Sequence, residues 1–181
     1  NVLQTQDHPQ FKTYGEELKW LTTDKTRMKW VANTIKDISS SGNTLILVDR
    51  ISAGEILEEQ IEDAVFVSGS TKNTDRKEQY DEISTATNKV IIATYGVAAV
   101  GINIPRIFNL VLIEPGKSFV RVIQSIGRGI RKAEDKDSVQ IWDITSSCKF
   151  AKRHLGARKK FYKEANYPYN IEKINYENPY T

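Results

Sequence analysis

The sequence predicts an α/β fold, a mostly parallel sheet with helices on both faces. Two observations carry this. Short apolar runs alternate along the chain with segments of helical period. The runs are also continuous, not alternating with polar residues, as expected of strands covered on both faces. With 181 residues, 39% hydrophobic and 27% charged, the chain is long enough for one well-filled core.

The elements follow in order. Residues 1–22 are polar, with Gln4, Gln6, His8, Pro9 and Gln10, and read as a lead-in or linker ending in a short helical piece around Glu16–Leu21. Met28, Val31, Ile35 and Ile38 have helical spacing from Asp24 onward, and Ser39-Ser40-Ser41-Gly42-Asn43 ends that helix. Leu45–Val48 reads as the first strand. Ser52-Ala53-Gly54-Glu55 reads as a capping box opening an acidic helix to Ile61. Ala64–Val67, Lys89–Thr94, Leu110–Ile113 and Val139–Ile144 read as further strands, with a helix from Asn73 or Thr74 to Ser84 between the first two of these. A helix starting at Ser118 and a basic helix over Cys148–Ala165 complete the pattern. The tail, 167–181, has two prolines and no clear period and reads as a loosely packed extension. The compact domain is thus expected over 23–166. Parallel α/β sheets bind ligands beyond the carboxyl ends of their strands. That edge should hold Asp49-Arg50, Ser68-Gly69, Thr94-Tyr95-Gly96 and Glu114-Pro115-Gly116.

Composition excludes several classes of function. No apolar run approaches the ~20 residues of a membrane span, and the start has no signal-peptide pattern, so the chain reads as soluble and cytoplasmic, with no membrane partner. One cysteine, Cys148, and two distant histidines, His8 and His154, offer neither a disulfide nor a metal-ligand spacing. The only methionine is Met28, which reads as excision from a longer polypeptide. Net charge is +3, so a nucleic-acid partner is permitted but not required. The charge is polarised. Residues 149–163 hold seven bases and no acid, whereas 53–63 hold five acids and no base.

The most informative stretch is Gln124-Ser125-Ile126-Gly127-Arg128-Gly129-Ile130-Arg131. At about 100° per residue, Gln124, Arg128 and Arg131 fall within roughly 60° of one another, and Phe119, Val122, Ile123, Ile126 and Ile130 fill the opposite face. A solvated polar face is the ordinary explanation of such a pattern. Gly127 and Gly129 argue against it, because each costs about 1 kcal/mol relative to Ala inside a helix. A helix end that lets a ligand approach the backbone beside Arg128 gives both a reason, and guanidinium groups suit phosphate oxygens.

The octet also resembles, position for position, the Gln-x-x-Gly-Arg-x-x-Arg motif VI of superfamily 2 helicases, most of all the UvsW-type recombination helicases of T-even phages. The resemblance spans about residues 24–165 and implies the second RecA-like lobe, a three-layer fold. It implies that Arg128 and Arg131 are catalytic arginine fingers and that Gln124 belongs to the ATP side. Thr94–Pro105 resembles motif V of these helicases, which assigns Thr94 to nucleic acid and Gly101 and Asn103 to ATP. Asn103 stands where the family commonly has Asp, so any hydrogen bond it gives a ribose carries no charge. Ser68-Gly69, seven residues before Arg76, resembles a His-Gly element of the same lobe. That places Gly69 at the nucleic acid and gives Arg76 a structural role. Leu45–Arg50 resembles motif IV and brings Arg50 to the nucleic-acid side. The further implications are ATP with Mg²⁺, held mainly by an N-terminal RecA-like lobe of the same polypeptide, and branched DNA or an RNA–DNA hybrid as substrate.

Gly116-Lys117-Ser118 is not a phosphate loop, because the glycine required five positions before Gly116 is Val111. With no complete phosphate loop and no Asp-Glu pair ending a strand, the chain reads as half an active site, inactive alone. The basic run from Lys149 to Lys163, which includes the candidates Lys159 and Lys160, has two readings. One is an amphipathic helix that docks Phe150, Leu155 and Phe161 on the core; the other is a contact with a phosphate backbone. Two alternatives to a motor lobe stand beside it. One is a nucleic-acid-binding α/β module without enzymatic activity. The other is a Rossmann-type domain, which lacks its glycine-rich turn after the first strand.

Overall fold

A computed structural model describes residues 1–67, 88–99, 107–116, 119–129 and 139–177, with backbone alone at 126–129. The described strands are β1 (Val2–Thr5), β2 (Thr44–Val48), β3 (Val65–Val67), β4 (Val90–Thr94), β5 (Asn109–Ile113), β6 (Gln140–Ser146) and β7 (Ile171–Ile174). The described helices are α1 (Tyr14–Thr23), α2 (Lys25–Ser39), α3 (Ile51–Gln60), α4 (Tyr95–Ala99), α5 (Phe119–Gly129) and α6 (Lys149–Glu164). The strands form one sheet in the order β3-β4-β2-β5-β6-β1-β7, and every neighbouring pair is parallel.

The continuous apolar runs explain the centre. β2 and β5 are buried at every position, and alternate residues serve opposite faces. Leu45, Leu47, Ile91, Leu110 and Leu112 point toward α4, α5 and α6 and meet Phe119, Val122, Leu155 and Tyr162. Ile46, Val48, Ile92, Val111 and Ile113 point the other way and meet Met28, Val31, Ile35 and Leu57 of α2 and α3. On that second face Gly54 leaves room for Phe66, whose ring would stand 2.5 Å from an added Cβ.

Three expectations need correction. Residues 1–22 are not simply a lead-in: β1 lies inside the sheet, hydrogen-bonded to β6 on one side and β7 on the other. Its polar residues can be buried because they are paired; the Thr5 hydroxyl donates to the Thr145 carbonyl at 3.3 Å. Nor is the tail only a loose extension, since β7 pairs along β1 from Val2↔Ile171 to Thr5↔Ile174. As the edge strand it exposes most of its side chains, so no buried periodicity marks it. Finally, Ser52 does not cap α3. The N-cap is Arg50, without a side-chain bond, and Ser52 lies within the helix. The helix expected at 73–84 lies outside the described residues.

Candidate nucleotide and nucleic-acid interface

The parallel sheet brings every strand's carboxyl end to one rim. β2 and β4 are neighbours with Val48 paired to Thr94, so Thr94 and the Asp49-Arg50 pair that follows β2 stand side by side. Thr94 is half-buried, and its hydroxyl oxygen accepts the Val97 N–H at 3.2 Å, capping the turn that opens α4. Gly96 is exposed, and among the described residues a Cβ placed on it would meet only the Thr94 hydroxyl, at 3.9 Å. Arg50 is half-exposed at the start of α3.

Helix α5 leaves the same rim after Glu114-Pro115-Gly116. Phe119, Val122 and Ile123 are buried, as the sequence spacing requires, and Gln124 is exposed. The Ser125 hydroxyl donates to the Ala99 carbonyl at 3.0 Å. This contact, missed in the sequence, ties α5 to the end of α4. Gly127, Arg128 and Gly129 lie on the described helical backbone of α5. Gly69, Gly101, Asn103, Arg131 and Arg76 lie outside the described residues.

Sequence reading also missed two buried arginines that fix the approach to α5. Arg27 is fully buried. Its Nη2 is bonded to the Glu114 carboxylate and donates to the Thr145 carbonyl at 3.1 Å. Its Nη1 donates to the Leu21 carbonyl at 2.7 Å and its Nε to the Thr5 hydroxyl at 3.2 Å. Burial pushes the Glu114 carboxyl above its ordinary range, with Arg27 opposing. Glu114 is also left-handed, at φ 46°, an uncommon state for a residue with a side chain. Its N–H donates to the Ile144 carbonyl at 2.9 Å.

From the opposite face Arg158 forks onto Asp143, Nε to Oδ2 at 2.7 Å and Nη2 to Oδ1 at 3.0 Å, while Nη1 donates to the Pro115 carbonyl at 2.8 Å. The Tyr162 hydroxyl donates to Asp143 at 2.8 Å. Arg158 is only 1% exposed, so it does not belong to the solvated basic surface its sequence neighbours suggest.

The remaining bases of α6 divide cleanly from its buried face. Ala151, Leu155, Arg158 and Tyr162 are buried; Lys149, Lys152, Arg153, Lys160 and Lys163 are exposed and Lys159 is half-buried. Phe150 and Phe161, expected to dock on the core, are each half-buried. The cationic stripe runs along a helix of 16 residues, about 24 Å long at 1.5 Å per residue. Cys148, at its start, is buried, and burial pushes its thiol up to about 11. Among the described residues no cluster of His, Cys, Asp and Glu could hold a metal ion. None of the described helices is long and apolar enough to cross a membrane.

An all-parallel seven-stranded sheet with helices on both faces defines an α/β domain of the RecA-like type. The chain belongs to the helicase conserved C-terminal domain family, whose model matches residues 26–133. It is 29% identical over 155 residues to the ATP-dependent DNA helicase uvsW of Enterobacteria phage T4, covering 83% of this chain and 31% of that protein. Putative helicase 22 of a Sulfolobus islandicus filamentous virus is 29% identical over 137 residues, covering 74% of this chain and 24% of that protein. The chain thus spans about a third or less of the curated relatives' length. In fold it is similar to the crystal structure of T4 UvsW, with a TM-score of 0.81 at 21% identity over 97% of this chain and 41% of that one. It is also similar to S. cerevisiae Dbp5 bound to RNA and ADP BeF3, with a TM-score of 0.59 at 16% identity over 98% of this chain and 42% of that one.

Proposed function

We propose that this chain is the second motor lobe of an ATP-dependent nucleic-acid helicase or translocase acting in DNA recombination, replication or repair. The observation that carries the reading is the shared rim. Thr94 and Arg50 stand on adjacent strand ends, and the helix bearing Gln124 and Arg128 leaves the neighbouring strand β5. In this reading Arg128 and Arg131 reach across a cleft to a nucleotide seated in an N-terminal lobe of the same polypeptide, where ATP and its Mg²⁺ are mainly held. Gln124, Gly101 and Asn103 line this lobe's side of that cleft. ATP hydrolysis supplies the free energy; this chain supplies charge and position, and by itself turns over no ATP. Thr94, Gly69 and Arg50 hold the nucleic acid at the rim, and Lys159 and Lys160 meet its phosphates on α6. Branched DNA or an RNA–DNA hybrid is the proposed substrate, in keeping with the DNA helicase among the relatives.

Titrating nucleic acid against this chain over a range of salt tests the nucleic-acid half. Replacing Lys159 and Lys160 with Gln is expected to reduce the slope of log affinity on log salt by about 1.4 to 1.8, two phosphate contacts' worth. An unchanged slope would leave α6 a packing helix only.

A further inference from the structure

One exposed cluster at the rim is not used by this reading. Tyr14 opens α1 and is 37% exposed. It stands over the turn before α5: its hydroxyl lies 3.1 Å from where a Cβ on Gly116 would be. The ring lies edge-to-face with Phe150 at 6.0 Å between centroids and with His154 at 5.1 Å. Two cations flank the Phe150 ring, Lys149 Nζ at 5.6 Å and the Arg153 guanidinium at 5.5 Å from its centroid.

These edge-to-face and cation–aromatic contacts hold the cluster together, and they leave an aromatic ring partly in water beside two cations. A strand of nucleic acid would use both features, because bases stack on aromatic faces while neighbouring cations meet the phosphates. The local acids do not obstruct it on the α6 side. Glu17 accepts the Phe150 and Ala151 N–H groups at 2.9 and 3.0 Å, and Glu114 is paired with Arg27. Asp49 is exposed, and after burial it is the foremost of the acids that hold the Tyr14 hydroxyl above its ordinary range, with Arg50 opposing. The phosphates are therefore best placed toward Lys149 and Arg153, leaving a base toward Tyr14.

We infer that Tyr14, Phe150, Lys149 and Arg153 form a base-stacking site for single-stranded nucleic acid, with an unpaired base against the exposed Tyr14 and its flanking phosphates on Lys149 and Arg153. The site rests on the nucleic-acid reading above and extends it. Thr94 ends β4, while Tyr14 stands over the end of β5, two strands along. At about 4.8 Å per strand that is roughly 10 Å, so a short stretch of one strand reaches both.

The test compares this chain's affinity for a short thymidine oligomer and for an abasic oligomer of equal length and charge. Wild type is expected to prefer the thymidine oligomer by at least about fivefold. Tyr14→Leu should abolish that preference while leaving affinity for the abasic oligomer within twofold, and Tyr14→Phe should keep it. A 2-aminopurine base in the oligomer should be quenched on binding wild type, a readout that does not depend on any variant folding. Equal affinity for both oligomers, or no quenching, would overturn the stacking site while leaving the phosphate reading intact. Preference for blunt duplex over single strand would replace it with end-stacking. A wild-type chain that binds no nucleic acid at low salt would overturn the parent reading and this site together.

Discussion

Arg158 and Lys160 sit two residues apart on one helix and have opposite fates. Arg158 follows Ala151 by seven positions and Leu155 by three, which places it on the apolar stripe of α6; Lys160 lies on the outer stripe. That spacing was legible, and so was the lone acid in the apolar strand Gln140–Ser146 that Arg158 needs as a partner. What could not be read was that the fork would close on Asp143 and reach the Pro115 carbonyl. Arg27 gave less warning still, since its partners come from Thr5, Leu21, Glu114 and Thr145, which are spread over most of the chain. Removing one partner of a buried pair strands the other charge. Arg27→Ala is therefore expected to lower unfolding free energy by about 3–5 kcal/mol, measured from urea midpoints. A loss below about 1 kcal/mol would mean that Glu114 finds water or another partner. A surface arginine would show only the smaller figure.

At the scale of elements, local period served well where burial was one-sided or complete. α2 buries the spaced set Met28, Val31, Ile35 and Ile38, and β2 and β5 are the continuous runs expected. It failed at the ends of the chain, where β1 and β7 are four residues each and owe their place to pairing, not to pattern. Capping failed for a related reason. Cys148 precedes α6 without a side-chain bond, and the cap comes from Glu17 on α1, 133 residues away along the chain. Its carboxylate satisfies two amides and complements the helix dipole. Glu17→Ala leaves those amides unpaired and is expected to cost about 1–3 kcal/mol, with amide exchange accelerating first at Phe150 and Ala151. Exchange unchanged at those two residues would show that the cap is dispensable. Because α1 also presents Tyr14, loosening it should weaken the stacking preference.

Across the whole molecule, the parallel sheet turns a linear sequence into one chemical edge. Arg50, Thr94 and Glu114 are far apart along the chain and end or follow neighbouring strands on the rim. The rim itself was legible, because an α/β alternation allows few topologies. The braces that hold it were not. Arg27 from one face and Arg158 from the other meet at Glu114-Pro115, so the turn that launches the arginine-bearing helix is fixed from both sides. A rigid launch point suits groups that must present charge to a phosphate without rearranging. The bases of α6 meanwhile form an outward stripe, legible as the acid-free basic run of 149–163.

The central claim is that Arg128 acts on a nucleotide and not on the strand. Nucleic-acid-stimulated ATP turnover of the complete polypeptide carrying Arg128→Ala tests it most directly, with strand affinity measured in parallel at low salt. The expected result is a fall in turnover of about 10³-fold or more with affinity within a few fold of wild type. Turnover near the wild-type rate, or affinity lost in step with turnover, would contradict the assignment and leave the chain a nucleic-acid-binding module.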